Sequence, residues 1–278
     1  MKTLGLLGGM TWESTLEYYR RLNERVKERQ GGLRSARCLI YSFDFQELAD
    51  LQNAGRWGEL GDLLAERARL LEKGGAELLL ICANTMHKVA ERVRRGIDIP
   101  LVHIVEETAK TILGLGFGKV GLLGTRITME DGFYSDCLEA RGIRTLLPAA
   151  PDREEIQRII FEELALGRLA PGSRVTCLRV AGELASRGAQ AVVLGCTELP
   201  LLLAGSTAPV PRLDTLDIHV RAAIELAGGS ARAVPGYRRT LADWNRMRTT
   251  AANRGAYPDE SGQSQATQAQ PEGGGSRA

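Results

Sequence analysis

Two cysteines stand at the ends of matching apolar runs, where their thiols could transfer protons or attack carbon. Cys82 lies in residues 75–85 (GAELLLICANT) and Cys196 in residues 188–198 (GAQAVVLGCTE), and the two runs align without a gap. Each run is typical of a buried parallel strand, and each stops at a thiol beside hydroxyl, amide or carboxylate side chains. A duplicated strand with such an end predicts one active site built from two related halves.

Cys196 is the strongest catalytic candidate. It follows a run of Val and Leu, and it precedes Thr197, Glu198 and a predicted helix. Because N–H groups at a helix start stabilise a thiolate, we expect the pKa of the Cys196 thiol to fall from about 8.5 toward neutrality. The thiolate could act as a nucleophile or as a base toward a C–H bond. A buried structural cysteine is the alternative interpretation.

Polar residues at the strand ends could hold a substrate carboxylate through their side chains and backbone N–H groups. The predicted substrate-binding residues are Met10, Gln52, Asn84, Thr85, Thr125, Thr197 and Glu198. Helix capping is the alternative role for the Asn and Thr residues. His87 could reach the cleft from the helix after Asn84, whereas His103 and His219 are predicted to be structural. Gly8 and Gly9 would let the backbone approach a ligand closely, or form a plain tight turn.

These residues must be positioned by the elements around them, and the chain alternates strand and helix patterns. Strands are predicted at residues 3–7, 38–42, 77–82, 101–103, 119–123, 145–147, 190–194 and 209–213. Helices are predicted at residues 13–29, 57–73, 86–95, 105–115, 133–140, 152–166, 173–186, 199–204 and 217–227. The predicted fold class is α/β, with two pseudo-symmetric three-layer parallel-sheet domains and the active site in the cleft between them.

A second internal match supports the duplication and sets the domain boundaries. Residues 4–9 (LGLLGG) resemble residues 120–125 (VGLLGT), so each half opens with a strand that ends in glycine. We predict a first α/β domain from residues 1–115 and 212–228, and a second from residues 116–211. Residues 229–278 are predicted to form a C-terminal tail, first basic and then disordered.

Bulk composition excludes several classes of protein. The formal charge of +2 is too small to recruit nucleic acid or membrane, and the N-terminus carries no signal peptide, so a cytoplasmic location is expected. Five scattered cysteines without a CxxC pair and only three histidines argue against a disulfide framework or a zinc site. The chain has neither GxGxxG nor GxxxxGK[ST], so a nucleotide cofactor has no support.

Several motifs resemble those of the aspartate/glutamate racemase family, most closely its amino-acid racemase branch. They are residues 7–15 (LGGMTWEST), 81–87 (ICANTMH), 123–126 (LGTR), 194–200 (LGCTELP) and 213–215 (LDT), and the resemblance covers roughly residues 1–228. It implies a cleft between two domains, a homodimer, no cofactor or metal, and a small amino-acid substrate. It also implies a mechanism in which Cys196 and Cys82 work on opposite faces: one thiolate removes the α-proton and the other thiol returns one.

One position departs from the family pattern. In many relatives the first cysteine directly precedes the Asn-Thr pair, but here Ala83 does, and the internal repeat likewise aligns Cys196 with Ala83 and Cys82 with Gly195. Adjacent side chains of a strand point to opposite faces. Three interpretations follow: a bulge brings Cys82 into the cleft, or Cys196 is the only thiol base and turnover favours one enantiomer, or racemisation is lost.

The sequence therefore predicts a cofactor-independent amino-acid racemase acting on aspartate, glutamate or a broader set. The competing classes are a one-base decarboxylase or isomerase of the same superfamily and a non-catalytic small-acid-binding protein. Gln52 could hydrogen-bond to either an acidic or a neutral amino acid, and no single Arg or Lys stands out in a cleft-facing motif.

Overall fold

Two parallel four-stranded sheets organise the chain. The computed structural model describes residues 1–228, and the predicted basic and disordered tail at 229–278 lies outside the described residues. Across the first sheet the strands are, in order, Cys38–Ser42 (β2), Leu4–Gly8 (β1), Leu78–Ile81 (β3) and Leu101–Val102 (β4). Across the second they are Arg144–Leu146 (β6), Lys119–Gly124 (β5), Ala191–Gly195 (β7) and Arg212–Asp214 (β8), so both halves use the same order. The predicted α/β fold with two related halves is confirmed.

The strands alternate with helices throughout. The strands are Leu4–Gly8 (β1), Cys38–Ser42 (β2), Leu78–Ile81 (β3), Leu101–Val102 (β4), Lys119–Gly124 (β5), Arg144–Leu146 (β6), Ala191–Gly195 (β7) and Arg212–Asp214 (β8). The α-helices are Trp12–Gln30 (α1), Phe45–Asn53 (α2), Trp57–Lys73 (α3), Ala90–Arg94 (α4), Ile104–Gly114 (α5), Arg126–Glu130 (α6), Phe133–Glu139 (α7), Ala150–Arg158 (α8), Pro171–Ser186 (α9), Leu199–Leu202 (α10) and Thr215–Ala227 (α11). No helix among residues 1–228 is long and apolar enough to cross a membrane.

The sequence patterns do not predict α2 and α6, and one predicted helix is interrupted. α2 buries only Leu48, and α6 has five residues, so neither shows a usable apolar period. The helix predicted at 152–166 is α8, followed by a π-helical turn at Ile159–Glu163 and a 3₁₀ turn at Leu164–Leu166. The segment at 86–95 likewise begins as a 3₁₀ turn, Thr85–Val89, before α4.

Hydroxyl and carboxylate side chains fix the helices that start near the strand ends. Thr11 caps α1 by accepting from the Ser14 N–H, and Thr125 caps α6 by accepting from the Thr128 N–H. Asp214 caps α11 by accepting from the N–H groups of Leu216 and Asp217. Each cap satisfies backbone donors that have no partner inside the helix. The capping role left open for Thr125 is therefore observed.

The chain returns from the second half to the first only after β8, which is later than the predicted boundary at residue 212. β8 pairs with β7, with Leu213 opposite Val193, so the strand belongs to the second sheet. Only α11 returns, contributing Leu216 and Val220 to the core beside Tyr18 of α1. Residues 1–228 all lie within one compact unit, so the two halves share a continuous framework.

Side chains alternate between the two faces of the first sheet along β3 and beyond its end. We call the two faces the α3 core and the α1–α11 core, after the helices that cover them. From this stretch the α3 core receives Leu79, Ile81 and Ala83, and the α1–α11 core receives Leu78, Leu80 and Cys82. The alternation of side chains between the two faces therefore continues through residues 82 and 83, although β3 ends at Ile81.

Candidate active site

A cavity lies at the carboxyl ends of β1, β3, β5 and β7, the central strands of the two sheets, where ligands bind in open α/β folds. All of the predicted substrate-binding residues line it: Met10, Gln52, Asn84, Thr85, Thr125, Thr197 and Glu198. Cys196 also lines it. The tertiary structure thus brings together residues that are up to 188 positions apart in the chain, between Met10 and Glu198.

The Cys196 thiol is buried and hydrogen-bonded to a carboxylate. Its Sγ donates to Glu198 Oε2 over 3.0 Å, and the backbone N–H groups of Glu198 and Leu199 donate to the sulfur. Burial, followed by the charge of Glu198, raises the pKa of the Cys196 thiol well above its usual value, and this outweighs the N–H groups. The expectation of a pKa near neutrality is therefore wrong, because the sequence does not reveal the desolvation or the carboxylate.

The Glu198 carboxylate is the centre of a hydroxyl network that joins the two halves. Oε1 accepts from Thr11 Oγ1 over 2.9 Å, and Oε2 accepts from Thr197 Oγ1 over 2.9 Å as well as from Cys196. Ser14 Oγ in turn donates to Thr197 Oγ1 over 2.7 Å. Because all of these donors converge on an acceptor, Glu198 is held where it can receive the proton of the thiol.

Cys82 lies outside the cavity lining. Its side chain is fully buried in the α1–α11 core, and burial raises the pKa of its thiol above the usual value. Its backbone N–H donates to Leu7 O over 2.8 Å, so pairing with β1 extends through this residue. No bulge turns the thiol toward the cleft, and the placement that a role in proton transfer would require is not found.

Ala83 occupies the position that the internal repeat assigns to a partner of Cys196, and it lines the cavity. Its carbonyl accepts from His87 Nδ1 over 2.8 Å, and the Ile104 N–H donates to His87 Nε2 over 3.2 Å, which assigns the Nδ1–H tautomer. His87 therefore fixes the backbone that presents Ala83 to the cavity. The methyl group of Ala83 cannot transfer a proton.

The hydrogen bonds of Asn84 determine which way its amide faces. Thr215 Oγ1 donates to Leu194 O over 2.8 Å, so that hydroxyl can only accept from Asn84 Nδ2, 3.0 Å away. Asn84 Oδ1 is left as a buried acceptor without a hydrogen-bond partner. Such an acceptor in a residue of the cavity lining matches an N–H donor on a ligand.

Three threonine hydroxyls meet where the halves face each other. Thr85 Oγ1 lies 3.0 Å from Thr125 Oγ1 and 3.2 Å from Thr128 Oγ1, and the last two are 3.0 Å apart. Thr85 comes from the first half and the other two from the second. These hydroxyls can donate to a ligand oxygen by rotating, since each has more acceptors in reach than it needs.

The histidines lie together behind the cleft and not in it. The ring centroid of His87 is 4.7 Å from that of His103 and 5.7 Å from that of His219. Burial lowers the pKa of all three, to about 4 for His103 and His219, so they are neutral at pH 7. Within residues 1–228 no group of His, Cys, Asp and Glu is placed to hold a metal ion.

Sequence reasoning missed the apolar part of the cavity. Phe45, Met86, Ile160, Phe161 and Ala165 all line it. Ile160, Phe161 and Ala165 lie in the π and 3₁₀ turns after α8. The apolar pattern of the sequence does not predict that the helix is interrupted there. Such π turns occur often at functional sites. Only the exposed helix-breaking sequence around Gly167 hints that this segment is irregular.

Gly8, which ends β1, and Gly9, which follows it, pack tightly against other residues of the chain. A Cβ on Gly8 would meet the Thr15 side chain at 2.4 Å, and one on Gly9 would meet Phe43 O at 2.3 Å. Gly9 also has a φ of 81°, which disfavours other residues. Met10 and Thr11, which follow Gly9, line the cavity.

Comparison with known proteins decides the family. The model of the Asp/Glu/hydantoin racemase family matches residues 7–223. The chain belongs to this family. A crystal structure of a proposed Asp/Glu racemase from Yersinia pestis is 47% identical, with a TM-score of 0.76 over 82% of this chain and 99% of that one. An aspartate racemase homologue from Pyrococcus horikoshii OT3 is 40% identical, with a TM-score of 0.72 and the same coverage of 82% and 99%.

A curated relative is similar over nearly its whole length. The broad specificity amino-acid racemase RacX of Bacillus subtilis (strain 168) is 24% identical over 217 residues, which is 76% of this chain and 92% of that protein. A glutamate racemase from Persephonella marina is 26% identical over 58% of this chain and 61% of that protein. The predicted relation to the amino-acid racemases is confirmed.

Proposed function

We propose that this member of the racemase family is an amino-acid racemase without a cofactor, in which Cys196 is the thiol that exchanges the α-proton. The observation that carries the proposal is the hydrogen bond from Cys196 Sγ to Glu198 Oε2, 3.0 Å long, inside the cavity between the two halves. A thiol beside a carboxylate that can take its proton can become a thiolate, and the thiolate can act as the base.

The first step in this mechanism is a proton transfer inside the protein. The Cys196 S–H bond breaks and its proton passes to Glu198 Oε2, which leaves a thiolate. The thiolate then takes the α-proton of the substrate, and the electron pair of the broken C–H bond spreads into the substrate carboxylate. Hydroxyls of Thr85, Thr125 and Thr197 are the groups we assign to that carboxylate, because donors placed where charge develops stabilise the transition state.

Asn84 completes substrate binding in this proposal. Its Oδ1 is the buried acceptor without a partner, and it would accept a hydrogen bond from the α-ammonium group of the substrate. The Cys196–Glu198 pair carries one negative charge, on the carboxylate before the proton transfer and on the thiolate after it, and this charge balances the ammonium. The predicted roles of Met10 and Gln52 are contacts with the remaining part of the substrate, since both line the same cavity.

The opposite face of the substrate has no thiol in this proposal. Ala83 lines the cavity while Cys82 packs in the α1–α11 core, which favours the interpretation with Cys196 as the only thiol base. Cys196 can remove an α-proton and return a solvent-derived proton to the same face. Inversion needs a proton from water or a hydroxyl on the face of Ala83, and is therefore the slower event.

The proposal is tested by following deuterium at Cα. The full-length protein is incubated in D₂O with each enantiomer of a panel of amino acids, and ¹H NMR reports the loss of the Cα–H signal while chiral chromatography reports inversion. We expect the rate of α-proton exchange from one enantiomer to exceed the rate of inversion. If no amino acid of the panel exchanges its α-proton, the racemase proposal fails.

Glu198→Gln separates the role of the carboxylate from that of the thiol. Burial, the larger cause, keeps the pKa of the Cys196 thiol raised even without the charge of Glu198, so we expect exchange at pH 7 to fall by on the order of 10²-fold once the carboxylate acceptor is lost. Exchange should then recover as pH rises toward the pKa of the thiol. The measurement is the pH profile of the exchange rate between pH 6 and 10.

Glu198→Asp is the matched control, since it keeps a carboxylate in the same network. Its profile should keep the wild-type shape even if the rate is lower. A Glu198→Gln profile that is also unchanged in shape would show that the thiol does not pass its proton to Glu198.

Cys82→Ala should lower stability without changing chemistry. The side chain is fully buried, so its loss should reduce the free energy of unfolding by about 0.5–3 kcal/mol, measured by urea denaturation. Cys177→Ala is the matched control, because Cys177 is another fully buried thiol that lies on α9 in the second half. A loss of exchange in Cys82→Ala that Cys177→Ala does not share would assign Cys82 a catalytic role.

A one-base reaction of the same superfamily is the second candidate, and Ala83 is the observation that favours it. Decarboxylation or isomerisation needs one proton donor, which Cys196 could be. A dicarboxylate substrate would, however, bring two negative charges to a cavity that already holds Glu198.

The homodimer implied by the family resemblance also stays a prediction. Trp12, Leu16 and Tyr19 form an exposed apolar stripe on α1 that a second copy could cover.

A further inference from the structure

The part of the cavity away from the thiol and hydroxyls is apolar. Three side chains come from the first half and three from the turns after α8, and they are Met10, Phe45, Met86, Ile160, Phe161 and Ala165. Met86 and Ile160 are almost completely buried, at 2% and 5% exposure, so they form a fixed wall. The thioethers of the two methionines add adaptable contacts.

The charges in the cavity do not suit a second carboxylate. Of the described lining residues, Glu198 is the only one with a charged side chain, and the remaining polar groups are hydroxyls and amides. An amino acid with a neutral side chain is a zwitterion whose ammonium balances Glu198. Aspartate or glutamate would add a further negative charge close to Glu198, which is itself buried.

The cations nearest in sequence to the lining are directed elsewhere. Lys88 Nζ forms an ion pair with Asp131 and lies 4.3 Å from the centroid of the Trp57 ring. Arg126, which follows Thr125, is exposed and absent from the lining. Within residues 1–228, no basic side chain lines the cavity.

We propose that the substrate has a neutral aliphatic or thioether side chain, such as that of leucine or methionine, which lies against this apolar wall. The inference rests on the proposed function, because it names the substrate class of the same site. The α-carboxylate and α-ammonium bind at the hydroxyl and amide groups, where Thr85, Thr125 and Asn84 meet. The side chain then extends toward Met86, Ile160 and Phe161 and removes apolar surface from water.

The test is a comparison of exchange rates with the full-length protein. Deuterium wash-in at Cα is measured for both enantiomers of leucine, methionine, aspartate, glutamate and lysine, and kcat/KM for exchange is compared. We expect the better of the two neutral substrates to exceed each charged substrate by at least about 10-fold, the discrimination that a charge or a few apolar contacts commonly supply.

Ala165→Lys tests whether the apolar wall of the cavity determines the preference for neutral substrates. The variant adds a flexible cation to the lining at a half-exposed position that takes no part in proton transfer. It should raise the exchange rate of aspartate or glutamate relative to leucine by at least about 10-fold. Ala165→Met is the matched control: it adds similar length without charge, and should not favour the acidic substrates.

Each outcome decides between the two proposals. A wild-type preference for aspartate, glutamate or lysine, or equal rates for neutral and charged substrates, overturns the substrate class and leaves the racemase proposal standing. An Ala165→Lys variant that folds, as judged by circular dichroism, and shows unchanged relative rates would mean that the side chain does not lie against this wall. No exchange from any amino acid overturns both proposals.

Discussion

Replacing Cys196 with alanine should reduce α-proton exchange by about 10²–10⁴-fold, because that is the contribution of a positioned acid–base group. Cys196 lines the cavity, is hydrogen-bonded to Glu198 and, by the proposed mechanism, carries the only thiol among the described residues that reaches the substrate. The measurement is the loss of the Cα–H signal in D₂O for the enantiomer that wild-type protein exchanges. Inversion should disappear with it.

Cys196→Ser is the informative companion to that variant. It preserves a donor to Glu198 and nearly the same volume, but a hydroxyl is a far weaker acid than a thiol, so exchange should remain deeply reduced. Equal urea midpoints for wild type and the serine variant would exclude unfolding as the cause. Full exchange in Cys196→Ala would remove Cys196 from the mechanism, and with it the proposed function.

Replacing Ala83 with cysteine should accelerate inversion by about 10²–10⁴-fold, again the contribution of one acid–base group. Ala83 lines the cavity and aligns with Cys196 in the internal repeat, so a thiol there would serve the face that has none. The rate of inversion from each pure enantiomer, followed by chiral chromatography, checks this. Exchange at the Cys196 face should change little.

The acceleration must appear in both directions. Two enantiomers have the same free energy, so the equilibrium constant is unity and kcat/KM for the forward and reverse inversions must be equal. A missing second thiol therefore slows both inversions alike, and turnover measured as kcat/KM cannot favour one enantiomer. The asymmetry that the sequence suggested must instead appear in α-proton exchange, which Cys196 can catalyse for one enantiomer without inversion.

Ala83→Ser is the control for the added volume. Serine places a hydroxyl at the same position, and its weaker acidity should give a smaller increase than cysteine gives. If Ala83→Cys folds, keeps its exchange at Cys196 and still does not invert faster, then residue 83 does not face the reacting carbon and another group must supply the second proton.

Much of the fold was predictable because it rests on local patterns. The apolar runs at the strands are continuous, as buried parallel strands require, and every predicted strand is found within three residues of its observed ends. Short elements such as α2 and α6 were not predictable, because five to nine residues with one or two buried side chains carry no clear period. The strand β8 was placed in the wrong half, because pairing with β7 is a long-range contact.

The candidate site divides in the same way between local and long-range information. The sequence by itself determined which residues could do chemistry, since parallel strands must deliver Asn84, Thr85, Thr125 and Cys196 to one edge of the sheets, and it marked Ala83 as the position opposite Cys196. Ile160 and Phe161 reach the cavity because a π turn follows α8, and no pattern in the sequence predicts that turn.

Only the tertiary structure decided which thiol faces the substrate cavity and in what state. Cys82 and Ala83 are neighbours, and the choice between them depends on whether side chains keep alternating past the end of β3. They do, and the Cys82 N–H still pairs with Leu7 O. The protonation of Cys196 depends on burial and on a carboxylate that Thr11 helps to hold from the other half. Both properties are set by groups that the chain brings together only when it is folded.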